Sequence, residues 1–380
     1  MRHLSAVLLI VCFCTSGFAQ NTKDTASGDL SLLFIGDVMG HGPQITSAFD
    51  KTTNAYDYTR CFKYISAEMS DADYTIANLE VTLAGPPFSG YPQFSSPDEL
   101  AVGCKNAGVD IFVTANNHGC DRGGSGITRT VEVLDSLNII HTGTYKDSLE
   151  RKANNPLIIE HDCFRIAILN YTYGTNGIPF PAPTIVNLID KELIAKDMAI
   201  AKSKNADKII VVTHWGNEYE SNAGTWQINM GQYIFDQGAD IIIGAHPHVL
   251  QKMVWEKQTD VSGKERLIAY SLGNYISNQR DRKKDGGAMI KLTLRKENGK
   301  TSIKEAGHIL TWVYTPIEDG AKKYYVLPCA KYENNPDFFD SEVSYNQMKL
   351  FISDSRTLFT EQNKNIGEYV YENEKWVLKY

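Results

Sequence analysis

Long apolar runs, cysteines and an excess of basic charge are all scarce in this chain of 380 residues. The main continuous apolar run, residues 4–14 (LSAVLLIVCFC), is shorter than the roughly 20 residues a membrane-spanning helix needs. Seven cysteines are present, and Cys12 and Cys14 lie in that run. The others, Cys61, Cys104, Cys120, Cys163 and Cys329, are odd in number and cannot all pair within one chain. They read mainly as buried free thiols, with Cys104–Cys120 the one bridge worth considering. No CxxC spacing occurs, which argues against a zinc-thiolate site. The 38 Lys and Arg against 45 Asp and Glu give a net charge of -7, so the electrostatic footprint of a nucleic-acid binder is missing. A GxSxG elbow is also missing, which disfavours a serine hydrolase. The stretch RGGSGIT (122–128) lacks the Walker lysine and the dinucleotide spacing, and reads as a helix entry with anion contact as a secondary role. With 42% hydrophobic residues the chain has ample material for a core.

The first residues have the layout of a secretory signal peptide. Arg2 and His3 precede the apolar run, and Gly17 and Ala19 stand at -3 and -1 of a cut after Ala19. Val11 before Cys12 and Phe13 before Cys14 do not fit a lipoprotein cut. The reading predicts export to the periplasm or cell surface, with no stable transmembrane segment once residues 1–19 are removed. Residues 20–28 read as a flexible polar leader.

From Leu30 onward, short runs rich in β-branched residues alternate with helical patterns. The runs are 30–35, 72–77, 109–114, 207–213, 239–245 and 266–272. Continuous apolar runs of this length suit strands buried on both faces. Helical patterns fall at 59–69, 125–137, 191–203 and 225–238. The alternation predicts an α/β fold with a largely parallel sheet. Further strands near 157–161, 164–171 and 250–313 arrive without intervening helices and call for a second or mixed sheet. The main domain spans 29–315. Residues 316–380, Tyr-rich and containing a helix-like stretch, read as a small C-terminal extension or a cap on the sheet.

The chemistry gathers where the runs end. Asp37 and His41 follow the first run, and Asn78 and Glu80 the second. Asn116, Asn117, His118 and Asp121 follow the third. His214 and Glu218, then His246 and His248, then Asn274 follow the others. Five of the nine histidines lie in these turns. Ligands of α/β sheets bind beyond the carboxyl ends of strands. Any one of these residues alone would read as a cap, a turn residue or a satisfied core histidine. Their coincidence at one sheet edge points to a site. In the His246-Pro247-His248 turn, an extended chain would aim both rings the same way. Imidazoles with carboxylates suit zinc, manganese or iron rather than calcium.

The series GDVMGH, ANLEVTL, TANNHGCDRG, THWGNEY, GAHPHVLQ and SLGNYI resembles the bacterial capsule-synthesis CapA-type family, linked to poly-γ-glutamate, over about residues 30–280. That family in turn resembles the calcineurin-like metallophosphoesterases. The resemblance implies a four-layer α-β-β-α sandwich and one or two divalent transition-metal ions (Mn, Zn or Fe). It implies Asp37, Glu80, Asn117, His214, His246 and His248 as ligands and His118 as the group protonating the leaving group. His41, Asn78, Glu218 and Asn274 are further candidates. Two departures stand out: His41 lies four residues from Asp37, where the enzymes have Asp-x-His, and an Asn78-x-Glu80 pair replaces the bridging aspartate. The expected activity is metal-dependent hydrolysis or transfer on a capsule or envelope polymer, at a phosphoester or γ-glutamyl amide bond. The alternative is a non-catalytic accessory factor that binds an anionic polymer during its assembly or export. Expected partners are such a polymer or phosphoester substrate and capsule assembly proteins.

Overall fold

Alternate residues of single strands pack into different cores, and this sets the layers. On the strand Gly28–Val38, Leu30, Leu32 and Phe34 enter one core while Leu33 and Ile35 enter another. On Lys208–His214, Ile210 and Val212 join the first of these cores while Ile209 and Val211 turn to a third. The first core therefore lies between two sheets packed face to face. The computed structural model describes residues 27–257 and 264–380.

The larger sheet has ten strands. Its path runs Lys375–Lys379, Gly367–Glu372, Lys300–Tyr314, Gly286–Glu297, Gly28–Val38, Tyr74–Leu79, Ile111–Val113 and Ile140–Thr142. Asn274–Ile276 pairs with Gly28–Val38, and Tyr325–Pro328 with Lys300–Tyr314. The second sheet runs Met253–Glu256, Arg266–Ala269, Ile241–Ala245, Lys208–His214, Phe164–Thr172 and Leu157–His161. The strands bearing the candidate residues are parallel within each sheet. Helices Glu99–Asn106 and Gly123–Ser136 cover the outer face of the first sheet through Leu100, Cys104 and Leu134. Helices Lys191–Ser203 and Thr225–Asp236 cover the second through Ile194, Met198 and Ile234. The result is an α-β-β-α sandwich.

Two local readings change. The helix expected over 59–69 is broken into a 3₁₀ turn, Thr59–Phe62, and a short helix, Ser66–Met69. Ile65 takes φ -126 between them, which lets Phe62, Ile65 and Met69 all enter the core under the first sheet. Residues after 316 are not set apart as an extension. Tyr325–Pro328, Gly367–Glu372 and Lys375–Lys379 continue the ten-stranded sheet. The helix Glu342–Gln362 packs Met348, Phe351, Ile352 and Phe359 into the core between the sheets.

Cys61, Cys104, Cys120, Cys163 and Cys329 are free thiols, and all but the half-buried Cys163 are buried. Among the described residues no helix is long and apolar enough to cross a membrane. The expected signal peptide and most of the leader lie outside the described residues.

Candidate metal centre

The site forms at the seam of the two sheets, from the carboxyl ends of strands in both. A bulge in the first strand starts it: Ile35 pairs with Ala77 but Asp37 with Asn78, leaving Gly36 as the extra residue. A side chain at Gly36 would stand 2.1 Å from the Gly273 carbonyl oxygen, so only glycine lets this strand approach the 273 turn. The bulge re-aims Asp37, which is fully buried. Asp37 Oδ1 accepts from Asn78 Nδ2 at 2.8 Å, and Asp37 Oδ2 stands 3.2 Å from His248 Nδ1.

Glu80 follows Tyr74–Leu79 and is also fully buried. Its Oε1 stands 3.5 Å from His214 Nε2 and 3.6 Å from His248 Nε2. Neither carboxylate oxygen has a hydrogen-bond partner. Burial, followed by the charge of Asp37, pushes the Glu80 carboxyl well above its ordinary value. Two groups of liganding atoms, each within 4.8 Å of one another, share this residue: Asp37, Glu80 and His214, and Glu80, His246 and His248. Glu80 is therefore the hub of the cluster.

His214 and His246 are held as neutral rings. Burial, then the neighbouring His246, pushes His214 well below its ordinary value. Burial and His248 bring His246 down to about 3. Neutral imidazole is the form that ligates metals. His214 is oriented by two amides: Asn117 Oδ1 lies 2.8 Å from Nε2, and Asn78 Nδ2 lies 3.2 Å from Nδ1. Asn274 Oδ1 stands 3.1 Å from His248 Nδ1. His246 Nδ1 is buried with no partner.

The His-Pro-His turn is not extended. His246 has φ 98 and His248 φ 56, both in the left-handed region. Non-glycine residues pay for such conformations, and functional sites are where the cost is tolerated. The strained turn, rather than strand alternation, brings both rings to Glu80.

Asp37, Glu80, Asn117, His214, His246 and His248 thus converge, with Asn78 and Asn274 orienting them. His41 and Glu218 do not join the ligand groups. His41 precedes the helix Gly42–Ala48, with its Nδ1 3.1 Å from Gln44 Oε1. Burial holds its pKa down at about 4. Glu218 is exposed on the turn after Lys208–His214, near enough for its charge to act on Glu80.

His118 lies beside the cluster, close enough to couple electrostatically to His41, His214 and His246. Its Nδ1 is 2.8 Å from Asp121 Oδ2, and the same oxygen accepts from the Phe94 backbone N–H at 2.6 Å. Asp121, fully buried, fixes the imidazole with Nδ1–H inward. The sequence places Asp121 near the motif but does not assign this role, because i,i+3 spacing on a turn has no fixed facing. Tyr173 was also missed. Its ring centroid lies 4.6 Å from that of His246. It follows the strand Phe164–Thr172, so the same strand-end signal that marked the other residues applied to it.

Buried carboxylate and imidazole atoms without partners are costly unless something neutralises them. A divalent cation would do so here, and two carboxylates, three imidazoles and an amide oxygen are donors suited to first-row transition ions. The residues present fit such a metal.

Residues 31–279 match the family model described as bacterial capsule synthesis protein PGA_cap. The chain belongs to this family. The matched segment holds every residue of the cluster. The chain is 26% identical over 341 residues to the capsule biosynthesis protein CapA of Bacillus anthracis, covering 85% of this chain and 78% of that one. It is 27% identical over 303 residues to the PGA biosynthesis protein CapA of Bacillus subtilis, covering 76% and 74%. Among solved structures it is similar to the NAD nucleotidase of Haemophilus influenzae, at 14% identity and a TM-score of 0.48, covering 92% of this chain and 65% of that one.

Proposed function

We propose that this PGA_cap family chain is an exported metal-dependent hydrolase or transferase. Its substrate would be a capsule or envelope polymer of the poly-γ-glutamate kind, attacked at a phosphoester or γ-glutamyl amide bond. One observation carries this reading: Glu80 is fully buried, has no hydrogen-bond donor on either oxygen, and is shared by two ligand triads. A purely structural carboxylate would be paired. The polymer is suggested by the family description and by the names of the Bacillus relatives. Export is suggested by the layout of residues 1–19, and N-terminal sequencing of secreted material starting near Gln20 would bear it out.

Asp37, Glu80, Asn117, His214, His246 and His248 would hold one or two divalent ions. A bound ion supplies Lewis-acid polarisation of a phosphoryl or carbonyl oxygen. The remaining work falls to the chain's own groups. Asn78 and Asn274 keep Asp37 and His248 in place. Asp121 keeps the Nδ1 proton of His118 engaged, so Nε2 is the nitrogen left to give a proton to the leaving group. The ring of Tyr173 lies against that of His246.

The test is metal analysis of protein purified without chelator, followed by assays with added Mn²⁺ or Zn²⁺. The substrates are p-nitrophenyl phosphate, bis-p-nitrophenyl phosphate and γ-glutamyl peptides. Turnover that needs the ion and Glu80 supports the reading. Stoichiometric ion with no turnover on any substrate would move the chain to a polymer-binding accessory factor.

A further inference from the structure

The rim of the candidate metal centre carries a cation on an aromatic ring, linked through Asn274 and Gln279 to His248. Asn274, which faces His248 Nδ1, donates from Nδ2 to the Lys284 backbone oxygen at 2.8 Å and to Gln279 Oε1 at 2.9 Å. Gln279 Nε2 is 3.4 Å from the Tyr219 hydroxyl. The Tyr219 ring centroid lies 6.2 Å from that of His248, and the Lys284 ammonium stands 4.2 Å over the same Tyr219 ring. Tyr219 is thus flanked by a ligand ring and a cation.

The platform is built and open. Tyr219 is 47% exposed, although its backbone N–H donates to the Pro247 carbonyl within the His-Pro-His turn at 2.8 Å. It holds φ 68, a left-handed conformation that a bulky residue adopts at a cost. Lys284 belongs to QRDRKKD (279–285), a cationic stretch in a chain of net charge -7. The two arginines of the stretch are engaged elsewhere: Arg282 pairs with Asp354, and Arg280 lies over Trp312. Lys284 pairs at 2.6 Å with Asp281, whose side chain is 81% exposed. So exposed a partner contributes little and is readily exchanged for an incoming anion. Glu218, beside Tyr219, adds an exposed acceptor to the same rim.

We infer that Tyr219 and Lys284 form a substrate-positioning platform for a chain whose units carry both a free carboxylate and an N–H donor. Lys284 takes the carboxylate in exchange for Asp281, Tyr219 supports the unit's aliphatic stem, and Glu218 accepts from its amide N–H. A γ-linked glutamyl chain has this chemistry, whereas polyphosphate offers no donor to Glu218. The inference rests on the proposed function for its reacting centre and adds the recognition of the neighbouring unit.

The experiment measures fluorescence anisotropy of a labelled γ-glutamyl oligomer on the full chain with Mn²⁺ present. Inorganic polyphosphate serves as competitor. Lys284→Gln is expected to weaken binding roughly tenfold and to flatten its salt dependence, while Lys284→Arg retains both. Both variants keep the backbone oxygen that Asn274 uses, so a loss in one alone reads the charge. Wild-type affinity in Lys284→Gln, or polyphosphate competing as well as unlabelled oligomer, overturns the platform. Wild type that loads Mn²⁺ but does not bind the oligomer also overturns it and leaves the metal centre standing. Oligomer binding through Lys284 without any ion uptake has the opposite meaning: the platform holds and the proposed hydrolase falls.

Discussion

Glu80 Oε1 lies 3.6 Å from His248 Nε2, although the two residues leave strands of different sheets. The contact joins the sheets at their carboxyl edges, and it places the unpartnered carboxylate against an imidazole that Asn274 holds from its other side. Ion binding at this seam should therefore stabilise the whole sandwich. An ion at about 100 times its dissociation constant adds roughly 2.7 kcal/mol to a protein that binds it only when folded. Wild type should show a rise in melting temperature with Mn²⁺ or Zn²⁺. Glu80→Gln should lose that rise while staying folded without added ion, since the substitution keeps the shape and removes a buried charge. Equal metal-dependent shifts in both proteins would show that the ion binds elsewhere.

His308 offers a pH dependence far from the metal centre. It is 3% exposed, with its ring 4.6 Å from that of Phe359 and neither nitrogen hydrogen-bonded. Burial brings its pKa down to about 3; the nearby Gly367 backbone works against this and the positive charge of Arg356 adds to it. Arg356 is itself clamped by Glu333 and Glu368. The folded value lies below the unfolded one of roughly 6.5, so the stability from the neutral ring is complete above that pH. It is lost as pH falls toward 3, because only the unfolded chain takes up the proton. The slope is about 1.4 kcal/mol per pH unit for one proton. His308→Phe should therefore be less acid-sensitive than wild type by up to that slope, in urea unfolding at pH 7, 6 and 5. Parallel pH profiles would mean that His308 is protonated in the folded protein.

The layers, and the gathering of these residues at one sheet edge, were legible in the sequence for a common reason. Strands buried on both faces read as unbroken β-branched runs, such as 207–213 and 239–245, and the first polar residues beyond them mark the sheet edge. What escaped depended on conformation or on distant packing. Nothing in His246-Pro247-His248 announces two left-handed residues, since the turn has no glycine, the usual occupant of that region. The pairing of His118 with Asp121 needs the turn between them to be known. The break at Ile65 follows from where Phe62 and Met69 must be buried, and helical periodicity alone does not report that. The C-terminal strands contact partners far back in the chain, as in the register of Gly307 with Gly367, so their own composition suggested an appendage.

That weaving makes a truncation informative. Deleting residues 364–380 removes both terminal strands and the buried Ile366 and Tyr369. It also deprives Arg356 of Glu368 and bares an edge of Lys300–Tyr314. Two buried side chains of this size are worth about 1.5–3 kcal/mol each, and exposed strand edges promote association. The truncated chain should unfold at lower denaturant and aggregate more readily. Unchanged unfolding, followed by fluorescence, would show the last strands to be dispensable.

The last prediction separates proton transfer from ion binding. His118 does not belong to either ligand triad, yet it lies close enough to couple to His214 and His246. His118→Ala should keep its ion and its melting temperature rise with Mn²⁺. Its turnover should fall by about 10² to 10⁴ on substrates with poor leaving groups, the usual contribution of a general acid. Substrates with good leaving groups need less protonation and should suffer less. Asp121→Asn tests the partner. The amide can still accept from His118 Nδ1–H or from Phe94 N–H, but it no longer favours the imidazolium that proton exchange requires. It should therefore share the leaving-group dependence of His118→Ala with a smaller loss, and should shift the pH–rate profile. A His118 that only fills a turn predicts something else: lower stability, with turnover per folded molecule unchanged across all leaving groups. Ion stoichiometry and leaving-group dependence, measured on the same preparations, decide between the two.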